Sequence, residues 1–276
     1  MSIDWKTVED ESAGNLIDLG KYPLHSPASP AYGVLVIQCQ QDLEERGACV
    51  LPGFITPEAT ARMVADTDRV VSNAYLCNDV HNVFLEEDDL SFPQDHPRRR
   101  KEKTSLNSVA YDQIGENDAL RSLYELNPML HFVTDVLRRE KMYRMEDPFA
   151  ALTVNVMREG QNHGWHFDES EVTITLMLQC PGDGGQFEFV HGTSDADREN
   201  YDAITEILDG TGPAIQSLEV HPGTLILFAG YYSIHRVTPV VGKKTRYLAT
   251  LCFKDEPGVS NSSEVQQLFY GRTAAT

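Results

Sequence analysis

The chain has 276 residues, enough for one large domain or two small ones with a sizeable core. Apolar residues make up 41% and charged residues 24%, and no run approaches the length of a transmembrane helix. Lys and Arg number 23 against 42 Asp and Glu, a net charge of −19, and so acidic a surface argues against general binding to nucleic acid or anionic membrane.

The opening MSIDWKTVEDESAGNLIDLG is acidic and lacks the basic and apolar blocks of a signal peptide, which makes the cytoplasm the expected location. Residues 1–32 are interrupted by Pro23, Pro27 and Pro30 and read as an irregular strap. Apolar spacing predicts a helix from Val34 to about Arg46, ending before Gly47, and ACVLPGF (48–54) reads as a short strand and turn. Thr56-Pro57-Glu58 then starts a helix to about Asn73: a capping Thr, a Pro in the first turn and an acid at the positive dipole end. Residues 76–104 form a long polar connection in which Glu86-Glu87-Asp88-Asp89 precedes Arg98-Arg99-Arg100-Lys101. Two further helices are predicted, from Ala119 to Leu126 and from Met129 to about Arg139.

After Asp147-Pro148 the period changes to two. Strands are predicted at 151–157, 171–179, 185–190, 224–230, 232–240 and 246–253, with a helix from about Asp197 to Leu208 among them. Helices first and strands afterwards predict an α+β chain whose C-terminal half is an antiparallel sandwich or barrel. On this reading residues 1–148 form a helical and irregular part that packs on the core and supplies lid loops. Residues 149–276 form the catalytic core, and the two make one integrated domain. Cys39, Cys49, Cys77, Cys180 and Cys252 are odd in number and contain no CxxC pair, so free thiols are expected.

The chemistry centres on Gly164-Trp165-His166-Phe167-Asp168. Two residues apart on a strand, His166 and Asp168 address one point in space and make two thirds of the 2-His-1-carboxylate triad that holds Fe(II) and leaves one side open. A lone HxD is common; His235, on the later strand YYSIHRVTPV, offers the third ligand. Arg246 opens the apolar strand RYLATLCF, where a buried guanidinium requires an anionic partner, from the protein or from a bound acid.

In this order, an HxD, a distal His in an HRVTP-like strand and an Arg some ten residues later, the sequence resembles the Fe(II)/2-oxoglutarate-dependent dioxygenases. Pro222-Gly223-Thr224-Leu225 with Leu227-Phe228 is similar to the turn and strand leading to their distal His. The resemblance covers roughly residues 150–255 and implies a double-stranded β-helix (jelly-roll) core, Fe(II) on His166, Asp168 and His235, and 2-oxoglutarate anchored by Arg246. Asn155 and Thr250 are implied as further cofactor contacts, the latter because Leu248 stands where many members carry Ser or Thr. Within the superfamily, NHGWHFDESEVTITLMLQ and GGQFEFV resemble the small bacterial oxygenases that hydroxylate or chlorinate free amino acids, the lysine halogenases being the best-known type. In those halogenases a Gly replaces the triad carboxylate; Asp168 therefore implies hydroxylation.

The resemblance further implies O2 as oxidant, succinate and CO2 as co-products, and a free amino acid or close analogue as the small-molecule substrate. His163 and Glu169 are expected beside the metal or against that substrate. Its carboxylate needs a cation other than Arg246, for which Arg98 and Arg100 are candidates and Arg158 and Arg236 competitors. Two other classes are in view. One is a different outcome on the same iron, such as desaturation, epimerisation or halogenation. The other is a non-catalytic cupin-like binding module, which would not require Arg246 at its spacing from His235.

Overall fold

The structure, a computed structural model, describes residues 13–194 and 200–274. Its strands in chain order are β1 (Ala48–Leu51), β2 (Tyr75–His81), β3 (Glu102–Val109), β4 (Tyr143–Arg144), β5 (Leu152–Met157), β6 (His163–His166), β7 (Thr173–Gln179) and β8 (Asp183–Gly184). There follow β9 (Phe187–Val190), β10 (Gln216–Leu218), β11 (Leu225–Phe228), β12 (Ile234–Val237), β13 (Val240–Val241), β14 (Arg246–Leu251) and β15 (Phe253–Lys254). The major sheet runs β1-β11-β7-β14-β5-β3-β2 and the minor sheet β10-β9-β12-β6, every neighbouring pair antiparallel. This is the jelly-roll core within an α+β chain.

Period-two alternation divides the major sheet cleanly. Leu152, Val154 and Val156, with Ile174, Leu176, Leu178, Leu225, Leu227, Ala249 and Leu251, join the apolar core on the helical side. The intervening residues, among them Thr153, Asn155, Met157, Thr175, Met177, Ile226, Phe228, Leu248 and Thr250, line a cavity between the two sheets. The helices Pro30–Arg46, Pro57–Val70, Ala119–Glu125 and Asn127–Val136 contribute Tyr32, Val36, Cys39, Met63, Leu120, Leu123, Phe132 and Val133 to that core and so back the sheet.

Local chemistry sets the helix ends. Ser29 accepts the Tyr32 amide at 3.2 Å and starts the first helix at Pro30, four residues ahead of its predicted start. Gly47, at φ 73°, ends it and returns its N–H to Leu43 at 3.0 Å. Thr56 caps the second through the Ala59 amide at 3.2 Å. The predicted helix from Asp197 has its start outside the described residues; its described part is the helix Tyr201–Leu208, capped by Asn200. Of the predicted N-terminal strap, residues 1–12 also lie outside them. All five cysteines are free thiols. Among the described residues no helix is long and apolar enough to cross a membrane.

The N-terminal half does more than the sequence predicts. The ends of the supposed connection at 76–104 pair as β2 and β3, from Tyr75 opposite Ser108 to His81 opposite Glu102, and β3 continues the major sheet against β5. The pattern hides this because β2 is the sheet's edge. It buries only Cys77 and His81 and exposes Tyr75, Leu76 and Val80, so no apolar alternation is left to read. Between β2 and β3 the acidic and basic runs fasten to each other, Glu86 to Arg98 and Asp88 to Lys101, each at 2.7 Å.

Candidate active site

β6 lies antiparallel to β12 with His166 directly opposite His235, which brings the two imidazoles to 4.1 Å between ring centroids. β6 ends at His166, and Asp168 lies just past it, its amide bonded to the Gly230 carbonyl at 3.2 Å. His166 Nε2 stands 3.7 Å and His235 Nε2 3.5 Å from Asp168 Oδ1. The three donor atoms lie within 4.8 Å of one another, the spread that one metal ion can bridge.

Each donor is oriented by the backbone. His166 Nδ1 hydrogen-bonds the Gly164 carbonyl at 2.8 Å and His235 Nδ1 the Ser233 carbonyl at 3.0 Å, an arrangement that places the proton on Nδ1 and leaves Nε2 as a lone pair. The Thr173 hydroxyl donates to Asp168 Oδ2 at 2.6 Å, freeing Oδ1 to face the histidines. Burial, reinforced by His235, holds the His166 imidazole down to about 3, so it is neutral as a ligand must be. Burial opposes ionisation of Asp168, but His235, His166 and Thr173 favour the anion and keep its carboxyl below the usual range. Gly230 packs directly on this carboxylate: a Cβ there would lie 2.7 Å from Asp168 Cγ.

The second feature is Arg246. It is 1% exposed on β14, facing the cavity, and its Nε and Nη1 have no hydrogen-bond partner in the protein. Burial lowers its pKa to about 10, so it remains a cation. A buried guanidinium without a carboxylate is costly, and an anion delivered by a ligand resolves the deficit. The cavity, of about 250 Å³, is lined by His166, Asp168, His235 and Arg246 together, with Asn155, Thr250, His163 and Glu169. His163 stacks on His166 at 3.7 Å between centroids, its Nε2 buried and unpartnered.

The arginines expected at the substrate are placed elsewhere. Arg98 pairs with Glu86, bonds the Tyr201 hydroxyl and covers the Phe84 ring; Arg100 bonds Asp209 and the Leu208 carbonyl. Both tie the 82–101 connection to the helix Tyr201–Leu208. Arg158 bonds Asn107 at 2.7 Å, and Arg236 pairs with Glu188 at 2.7 Å while lying over Trp165. None of the four lines the cavity. Among the lining residues that the sequence does not single out are Leu85 and, near the C-terminus, Lys254, Asn261, Val265, Leu268, Phe269 and Tyr270. The helix Ser263–Tyr270 has apolar spacing in Val265, Leu268 and Phe269, the signal by which the sequence could have found it.

Residues 34–268 match the model of a protein family described as Halogenase D. No curated protein matches the chain. Among solved structures the chain is similar to the non-heme alpha-ketoglutarate-dependent epimerase SnoN from nogalamycin biosynthesis, with TM-score 0.58 and 13% identity over 81% of this chain and 82% of that one. It is similar also to the carbocyclase SnoK of the same biosynthesis (TM-score 0.56, 14% identity, 87% of this chain and 93% of that one). AviO1 from Streptomyces viridochromogenes Tue57 gives TM-score 0.55 at 14% identity, over 81% and 96% of the two chains. At these identities the likeness is one of fold.

Proposed function

The chain belongs to the Halogenase D family, and we propose that within it this enzyme is a hydroxylase of a small molecule, a free amino acid or a close analogue, using Fe(II), 2-oxoglutarate and O2. The observation that carries the reading is one cavity holding both a complete two-His-one-carboxylate cluster and a buried, unpartnered Arg246. His166, Asp168 and His235 would hold Fe(II), and Arg246 would receive the far carboxylate of 2-oxoglutarate in a charge-assisted contact, with Asn155 and Thr250 beside it. When bound, these groups together with O2 supply an oxidant able to break an unactivated C–H bond, yielding an alcohol, succinate and CO2.

The protein's own part is position and exclusion. Met177, Phe187, Phe228 and Leu248 make apolar walls that keep bulk water away, and the lining decides which C–H lies nearest the metal. Asp168 supports hydroxylation over halogenation, because it fills with a protein carboxylate the position that a halide would take. The test is succinate formation with Fe(II), ascorbate and 2-oxoglutarate across a panel of free amino acids, followed by mass spectrometry of the product. Gain of one oxygen supports the reading. Gain of chlorine in chloride buffer, or loss of two hydrogens with no oxygen gained, overturns it.

A further inference from the structure

The cavity's charges can be counted. Apart from the histidines, the lining holds two basic residues, Arg246 and Lys254, and two acidic ones, Asp168 and Glu169. The proposed function assigns Arg246 to 2-oxoglutarate and Asp168 to the metal. Lys254 and Glu169 remain, one cation and one anion in the same cavity.

Lys254 stands on the same row as Arg246. Arg246, Leu248, Thr250, Cys252 and Lys254 follow one another at a spacing of two and all line the cavity. Eight residues of extended chain separate the two cations by up to roughly 26 Å, too far for one small dicarboxylate to use both. The Lys254 ammonium donates to the Ser170 hydroxyl at 3.0 Å, and among the described residues no carboxylate stands within ion-pair distance of it. Ser170 follows Glu169 in the chain, which brings the anion to the same end. Val265, Leu268 and Phe269 of the C-terminal helix also line the cavity, Leu268 and Phe269 packing on the cluster of Met157 and Val237, and Met157 stands opposite Arg246.

From this we infer that Lys254 is the anchor for the substrate carboxylate, with Glu169 receiving the substrate ammonium. The assignment rests on the proposed function and deepens it: the cavity end opposite Arg246 takes a small zwitterion by its charged groups and presents the apolar remainder to the metal. Lys254 has two ammonium hydrogens beyond the one given to Ser170, and these are the donors a carboxylate would take.

The test uses the full enzyme with the free amino acid that best supports succinate formation, beside the matched amino acid amide. Wild type should prefer the acid, and Lys254→Met should raise the KM for the acid by about 10- to 100-fold, the value of a charge-assisted hydrogen bond. The KM for the amide should stay put, and Lys254→Arg should recover most of the loss. Anaerobic binding of 2-oxoglutarate in the presence of Fe(II), followed by titration, should be unchanged in Lys254→Met, which separates a lost substrate contact from a collapsed cavity. A wild type that takes acid and amide equally overturns the assignment without any variant being folded, and so does an unchanged KM for the acid in Lys254→Met. If no amino acid supports turnover, the substrate class itself fails and the assignment fails with it.

Discussion

Asp168 owes its geometry to two residues that no motif names, Gly230 behind it and Thr173 beside it. Gly230→Ala drives a methyl into the carboxylate, and Fe(II) affinity measured by equilibrium dialysis should fall by roughly 10- to 100-fold, the usual effect of disturbing a ligand's support. A fall confined to turnover, with iron affinity intact, would show that the carboxylate tolerates displacement. Arg246→Ala should raise the 2-oxoglutarate requirement by roughly tenfold or more, for loss of a charge-assisted contact worth about 1.5–3 kcal/mol, while the iron requirement moves little. Equal loss for both would make Arg246 a structural residue. Asp168→Gly should not by itself chlorinate efficiently in chloride buffer. It opens a coordination position but supplies no donors for the halide, and Glu169 leaves a negative charge close by.

Elements were legible to the degree that they bury one face. Six of the strands after Asp147, the body of the helix Pro30–Arg46 and the start of the helix at Pro57 are read from period and capping residues, because each buries apolar side chains. The triad and Arg246 were legible for a related reason: ligand spacing on strands leaves a trace in the sequence. β2 left none, being an exposed edge, and Lys254 left none because its meaning depends on Ser170 and Glu169, which are distant in the chain. The C-terminal helix hangs on one buried carboxylate. Asp147 accepts from Phe149 and Ala150 on one side and from Ser260, Asn261 and Gln266 on the other, at 2.7–2.9 Å, and so ties the end of the chain to the start of the core.

Burial alone would raise the Asp147 pKa, but the Gln266, Ala150, Phe149 and Asn261 bonds outweigh it and hold the carboxyl below its ordinary value. Its folded value being depressed, the tie contributes fully above the unfolded carboxylate range and is lost as pH falls through the lower, folded value. Asp147→Ala should loosen the helix Ser263–Tyr270 at neutral pH, read as faster proteolysis at the C-terminal segment. Unaltered cleavage would show that Arg272 on Asp112 and the apolar contacts suffice without it.

At the scale of the whole molecule, the major sheet takes three of its seven strands, β1, β2 and β3, from before residue 148. A fragment beginning at residue 149 would lose those strands and the helices that cover Leu152, Val154 and Leu176, exposing the apolar face of what remains. Such a fragment should lack a cooperative thermal transition, whereas the full chain should show one; a sharp melt in the fragment would make the two parts separable.

The opposition of His166 and His235 across β6 and β12 carries a consequence for the apo protein. The two strands are four residues each, and their pairing already breaks step between His235 and Val237. A slip by one residue would turn a histidine out of the cavity, since alternate side chains leave opposite faces. Iron held by both histidines would bind one alignment only, and its binding free energy would be added to that alignment alone. Backbone amides of β6 and β12 should exchange with deuterium faster in the metal-free protein than with Fe(II) bound under anaerobic conditions, while those of β5, β7 and β14 keep their rates. An ion held there would serve also as a clasp that keeps two short ribbons in step.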